Sequence, residues 1–423
     1  MTEIIDPKIK PKSQWSLVGK DPYALKLDEI DLSHPGIWQA NEYLPFLKRL
    51  RDEDPVHYCR ESAVGPYWSV MKYKDIMYVD TSPQLFSSEP TIGIVDTLEE
   101  FTFPAFISMD PPKHDEQRRV VQGVVAPANL KNLESIIRQR AGGILDSLPI
   151  GEEFDWVKNV SIELTTQMLA TLFDFPFEDR HKLTHWSDVA TAIPGSGVIE
   201  SQEQRWEAME ECLAYFTGLW NERINKEPGN DLISMLAHGK ATKNMPPMEY
   251  LGNIILLIVG GNDTTRNSIS GGVLALSQNP DQYQKLREDA SLIPNMVSEI
   301  IRWQTPLAYM RRTAIQDTDL GGKAIKTGDK VIMWYASGNL DEEAIDRPDE
   351  FLIDRANARH HLSFGFGLHR CMGNRLAEMQ LRIVWEEIMK RFHQVEVVGE
   401  PERIYSSFVK GYSKLPVVLH PLS

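Results

Sequence analysis

Residues 247 to 278 carry the pattern that most limits what this chain can become. Their apolar positions, densest from Leu251 to Val259, leave almost no helix face for water. A helix that is apolar all round must run through the middle of a large body, with other elements covering every side. Into it the sequence sets Gly260-Gly261-Asn262-Asp263-Thr264-Thr265. A glycine inside a helix costs roughly 1 kcal/mol, and a buried acid or hydroxyl costs more unless it is paired. Two readings account for this expense: a functional site, or a kink relieved by threonine bonding back to the preceding turn.

The rest of the chain has the material to surround such a helix. It has 423 residues, 42% hydrophobic and 25% charged, with no evident linker, internal repeat or low-complexity stretch, so one domain over 1–423 is expected. From Leu130 to Lys240 the apolar spacing gives successive amphipathic helices, broken at Ile193-Pro194-Gly195-Ser196-Gly197, a place for a moving lid. Strand patterns appear from Val56 to Met71, from Val331 to Tyr335, and at Val395 to Val398 with Pro416 to Leu419. The expected class is mainly α with small β-sheets.

Several functions are disfavoured. A net charge of -15 argues against nucleic acid and acidic membrane surfaces, which favour basic patches. Met1 to Trp15 lacks the apolar core of a signal peptide, and the run Ile254 to Val259 is too short to span a bilayer. Cys59, Cys212 and Cys371 are too scattered for a disulfide framework or a zinc site of usual spacing, so a reducing cytoplasm is the expected compartment.

Cys371 stands in Phe364-Gly365-Phe366-Gly367-Leu368-His369-Arg370-Cys371-Met372-Gly373, between a glycine-rich turn and a helix pattern. That order puts the sulfur near the positive end of the following helix, which favours a thiolate. The spacing suits haem iron held by cysteine, and the plain alternative is a small buried thiol beside a turn. Earlier, His114 and Arg118 share one face of a helix opened by Asp110-Pro111-Pro112, either to hold a carboxylate or simply to face water. The loop over 88–108 is unusually apolar, with Ile92, Ile94, Val95, Leu98, Phe101, Phe103, Phe106 and Ile107, and either lines a cavity or covers core. Glu299 and Arg302, three apart on a helix, form an ion pair of little meaning alone.

Together these segments resemble the cytochrome P-450 family through essentially the whole chain. Phe364, Gly365, Gly367, His369, Cys371 and Gly373 match the family's cysteine motif at every fixed position. Glu299 and Arg302 match its Glu-x-x-Arg helix, and Gly260, Gly261, Asp263 and Thr264 match its oxygen-activating segment. The resemblance implies a triangular helical body with a β-rich lobe, and haem b with Cys371 as the axial thiolate. It further implies that His114, Arg118, Arg312 and His369 hold the haem carboxylates, that Asp263 and Thr264 relay protons, and that Glu299 and Arg302 support the haem-binding core. Glu350 stands where many relatives carry arginine, so the third member of that ion cluster is left to Arg347 or Arg355.

Within the family, Gly260 to Ser268 and Met333 to Asn339 resemble the bacterial branch that hydroxylates alkanes at the chain end. This implies a monooxygenase inserting one atom of O2 into a terminal C–H bond of a medium-chain alkane. A fatty acid or monoterpene is the alternative substrate, and a haem-thiolate sensor without turnover is the alternative from another class. Leu256, Leu257, Gly260, Leu307 and Phe408 are the expected pocket for an apolar small molecule, selected by shape and burial. No flavin or nicotinamide fingerprint is present, so electrons are expected from a ferredoxin and its NAD(P)H-dependent reductase. Arg119, Arg370 and Arg375 offer a basic face to an acidic ferredoxin. The chain is expected to act as a monomer without a membrane anchor.

Overall fold

The computed structural model describes residues 16–96 and 103–422, which leaves Leu98, Phe101 and the polar start from Met1 to Trp15 outside the described residues. Its axis is one unbroken helix, Pro247–Gln278, with proline in its first turn. The helices Glu163–Phe173, His181–Thr191, Ile293–Gln304 and Asn374–Arg391 pack around it, so nearly every face is buried. The second half of the central helix owes its close packing to glycine. A Cβ on Gly272 would lie 2.8 Å from the Ile300 side chain, and one on Gly271 would collide with Gln304.

The β-rich lobe is a five-stranded sheet in the order Val56–Cys59, Tyr67–Val70, Lys330–Met333, Met310–Ala314, Phe86–Ser87. Tyr67–Val70 runs parallel to Lys330–Met333 and the other neighbours are antiparallel. Near the C-terminus Val395 lies opposite Leu419, pairing the two strands expected there. The strand expected from Val331 to Tyr335 is shorter than its pattern. It ends at Met333, and Tyr335–Gly338 makes a single helical turn. Trp334 is the reason: its indole stacks on Trp38 with centroids 5.4 Å apart and donates to the Ser69 hydroxyl, turning the chain inward.

That turn delivers Asn339 to the ion cluster. Arg302 grips the Glu299 carboxylate with two nitrogens, at 2.7 and 2.8 Å, and donates to the carbonyls of Asn339, Pro348 and Glu350. Arg355 completes the cluster, with its Nε 2.8 Å from Glu299. Arg347 does not: its backbone is left-handed at φ 45, and its side chain turns outward to Asp346 and Glu350. Asn339 accepts from the Leu362 N–H and donates to the Ser363 hydroxyl, so the buried charges fix the strap leading into the cysteine loop. Among the described residues, no helix is long and apolar enough to cross a membrane.

Candidate active site

The cysteine loop folds back on itself, with the Cys371 N–H donating to the Phe364 carbonyl at 2.8 Å. Gly365 and Gly367 adopt φ +64 and +63, a region that disfavours any side chain, and a Cβ on Gly367 would strike the Asp80 backbone. Asp80 anchors the turn through the Phe366 N–H at 2.7 Å. The thiol lies at the start of Asn374–Arg391, where the N–H groups of Gly373 and Asn374 bond to the sulfur. Burial raises the Cys371 thiol, while those N–H groups, Arg118 and Arg370 oppose the rise. A sulfur so placed needs a cation to become a stable thiolate.

Above it opens a cavity of about 1960 Å³, roughly twice the upper end of the range usual for one small ligand. Cys371 is the one of the three cysteines that lines it, Cys59 and Cys212 being buried elsewhere. Arg118, Arg312 and His369 also line the cavity, and His114 packs on His369 with ring centroids 4.2 Å apart. Both histidines keep a buried Nε2 without a hydrogen-bond partner. Burial, then Arg312, His114 and Arg118, push His369 down to about 2. Burial also lowers His114, whose Nδ1 is bonded to Asp115. Arg118 donates to the Arg370 carbonyl, and Arg312 is held 2.6 Å from Asp80. The Arg118 and Arg312 guanidinium groups, with the unpartnered His369 Nε2 beside them, fit the carboxylates of haem, and the thiol in its N–H cradle fits an iron ligand. The residues present therefore suit the cofactor.

On the opposite wall the central helix presents Thr264, whose hydroxyl donates to the Gly260 carbonyl at 2.8 Å. The threonine bonds back without kinking the helix, which continues unbroken, and its side chain fronts the cavity. A Cβ on Gly260 would meet nothing within 4 Å, which marks open space there. Asp263 lies on a different flank from Thr264. One residue apart on a helix is about 100° of rotation, and its carboxylate points toward His181–Thr191 rather than into the cavity. There it pairs with Arg266 at 2.9 Å and accepts from Ser187 at 3.1 Å and Thr191 at 3.4 Å. Burial raises its pKa, with Arg266 opposing.

The expected pocket residues Leu256, Leu257, Gly260, Leu307 and Phe408 all line the cavity. Leu307 bridges Val409 across the backbone, which brings two segments a hundred residues apart onto one wall. Of the apolar loop, Ile92, Ile94, Val95, Phe103, Phe106 and Ile107 line it as well. The sequence reading missed Asp80, which holds Arg312, Tyr335 and the cysteine turn together. It also missed Thr191, which touches both Asp263 and the cavity. Trp206, stacked on Phe103 with centroids 5.6 Å apart, was missed too. The only sequence signal for Thr191 and Trp206 is the nearby break at 193–197, and Asp80 has none.

A family model described as cytochrome P450 matches residues 144–416. The chain is similar to a solved structure of cytochrome P450-153 from Novosphingobium aromaticivorans, with 47% identity and a TM-score of 0.87, covering 92% of this chain and 99% of that one. It is 36% identical to linalool 8-monooxygenase of Pseudomonas putida, over 93% of this chain and 100% of that protein. It is 31% identical to a methyl-branched lipid omega-hydroxylase of Mycobacterium bovis, over 94% of this chain and 96% of that protein.

Proposed function

The chain belongs to the cytochrome P450 family, and from that premise we propose that this monooxygenase hydroxylates medium-chain alkanes at a terminal carbon to give primary alcohols. Its cofactor is haem b with an axial cysteine thiolate. The observation that carries the substrate reading is the apolar wall facing Cys371, from Leu256, Leu257, Leu307, Phe408, Ile92, Val95, Phe103 and Phe106. An alkane offers nothing to hydrogen-bond, so such a wall binds it by burial alone, about 0.8 kcal/mol for each CH₂ removed from water. The likeness to an omega-hydroxylase adds support, as does the resemblance of Gly260 to Ser268 and Met333 to Asn339 to alkane hydroxylases.

Haem b supplies the two-electron activation of O2 that puts one oxygen atom into the C–H bond and releases the other as water. The chain's part is to hold, orient and deliver protons. His114, Arg118, Arg312 and His369 bind the cofactor's carboxylates, and Cys371 supplies the thiolate. Thr264 already donates its proton to Gly260, so its oxygen lone pairs are free to accept from cavity water. Asp263 exchanges protons with the cavity by way of Thr191, which contacts the acid through its hydroxyl and also lines the cavity. The two electrons come from a ferredoxin docked on Arg119, Arg370 and Arg375, all exposed near the cysteine loop. We place the protein in the cytoplasm as a monomer.

A terpene is the second reading, favoured by the likeness to linalool 8-monooxygenase. Turnover of octane, octanoate and linalool with a ferredoxin and its reductase separates the two. Dominant 1-octanol from octane supports the proposal, whereas preferred oxidation of linalool overturns it. A sensor would give no product from any of them.

A further inference from the structure

A second hollow, of about 530 Å³, lies between the helix Tyr43–Glu53, the C-terminal end of the central helix and the chain from Arg403 to Tyr412. Its volume is within the range of small-molecule sites. Trp38, Leu44, Leu274 and Trp303 give it apolar surface. Two of its cations have no anion among the described residues. Lys410 donates from Nζ to the Tyr43 hydroxyl at 3.0 Å and to the Trp303 carbonyl at 3.3 Å, both neutral, and lies 5.3 Å over the Tyr43 ring. Arg403 lies 5.8 Å over the Tyr412 ring. Among the described residues neither forms a salt bridge.

The other cations of this lining are matched. Lys48 and Arg51 pair with Glu342, and Arg302 pairs with Glu299. The acids of the lining, Glu342 and Asp349, are both exposed. A partly buried ammonium and a guanidinium left with aromatic rings and carbonyls carry a desolvation cost that an anion would offset. Tyr43 accepts from Lys410, which leaves its own O–H able to donate to the same anion.

We propose that this hollow is a second ligand site, taking a carboxylate that carries a short apolar chain. The head would lie against Lys410, Arg403 and the Tyr43 hydroxyl, and the chain along Trp38, Leu274 and Trp303. The site does not rest on the substrate reading above: the two hollows share Ser406, but Lys410 and Arg403 line only the second.

The test is calorimetric titration of the holoenzyme, its haem cavity occupied by 4-phenylimidazole, with decanoate, 1-decanol and inorganic phosphate. Decanoate is expected to bind saturably, and 1-decanol and phosphate at least about tenfold more weakly. Lys410→Met and Arg403→Gln are each expected to weaken decanoate by at least about tenfold while 4-phenylimidazole still binds as in the wild type. Should Lys410→Met fail to fold, Arg403→Gln decides, since that side chain stands on Tyr412 alone. Absence of saturable decanoate binding, unchanged affinity in the variants, or phosphate or 1-decanol binding as tightly as decanoate would each overturn the proposal.

Discussion

Asp263 and Thr264 are adjacent in the chain and lie on different flanks of the central helix. Thr264 fronts the cavity, and Asp263 is fully buried in a pair with Arg266, 2.9 Å away. In the proposed relay the hydroxyl and the acid would therefore act separately. Thr264→Ala is expected to keep consuming O2 while alcohol formed per O2 falls about tenfold and hydrogen peroxide rises, with Thr264→Ser largely restoring coupling. Product yield equal to wild type in the alanine variant would remove Thr264 from the relay.

Asp263→Asn should behave differently. It removes the buried acid but leaves Arg266 its second partner, Asp188, at 2.6 Å. Turnover is expected to slow by roughly 10²-fold with a larger solvent deuterium effect and little change in KM. Thr191→Val should slow turnover in the same sense and by less, because it cuts the contact between Asp263 and the cavity. A normal rate and isotope effect in both variants would contradict this route.

The Glu299 cluster is a stability device. Glu299 is fully buried and accepts from Arg302, Arg355 and the Leu352 N–H, so Glu299→Gln leaves two guanidinium groups short of their anion. Removing one partner of a buried ion pair costs about 3–5 kcal/mol. The variant is expected to melt several degrees lower and to lose haem more readily. Arg347→Ala, at a side chain turned outward, should leave both unchanged; an equal loss there would put the third arm of the cluster at the wrong residue.

Lys410 supplies a pH dependence. Burial, with Arg403 and Arg302 nearby, pushes its ammonium down to about 7, whereas the unfolded chain holds that proton to about 10.4. Between those values the unfolded state binds more protons, so the Lys410 contribution to stability rises with pH. Relative to Lys410→Met, the wild type should gain melting temperature as pH goes from about 7 to about 9.5. A constant difference across that window would contradict it.

What was legible in the sequence was local. The central helix occupies Pro247–Gln278, the same span its apolar pattern marks, because burial on all sides writes itself into every position. The cysteine loop and the Glu299–Arg302 pair are likewise short-range patterns. The direction of Asp263 was hidden because the flank that faces the cavity depends on where His181–Thr191 packs. The choice of Arg355 over Arg347 turned on one left-handed residue in a loop. Asp80 is distant in sequence from its partners Arg312, Tyr335 and Phe366, and no pattern near it signals that meeting.

The most direct test of the account concerns Cys371 itself. The purified protein, loaded with haem, reduced and exposed to carbon monoxide, is expected to show the strongly red-shifted Soret band of a thiolate-bound haem, and Cys371→Ala, folded and haem-loaded, to lose it. Persistence of that band in Cys371→Ala, or its absence from well-folded wild-type holoprotein, would contradict the assignment of Cys371 as the iron ligand.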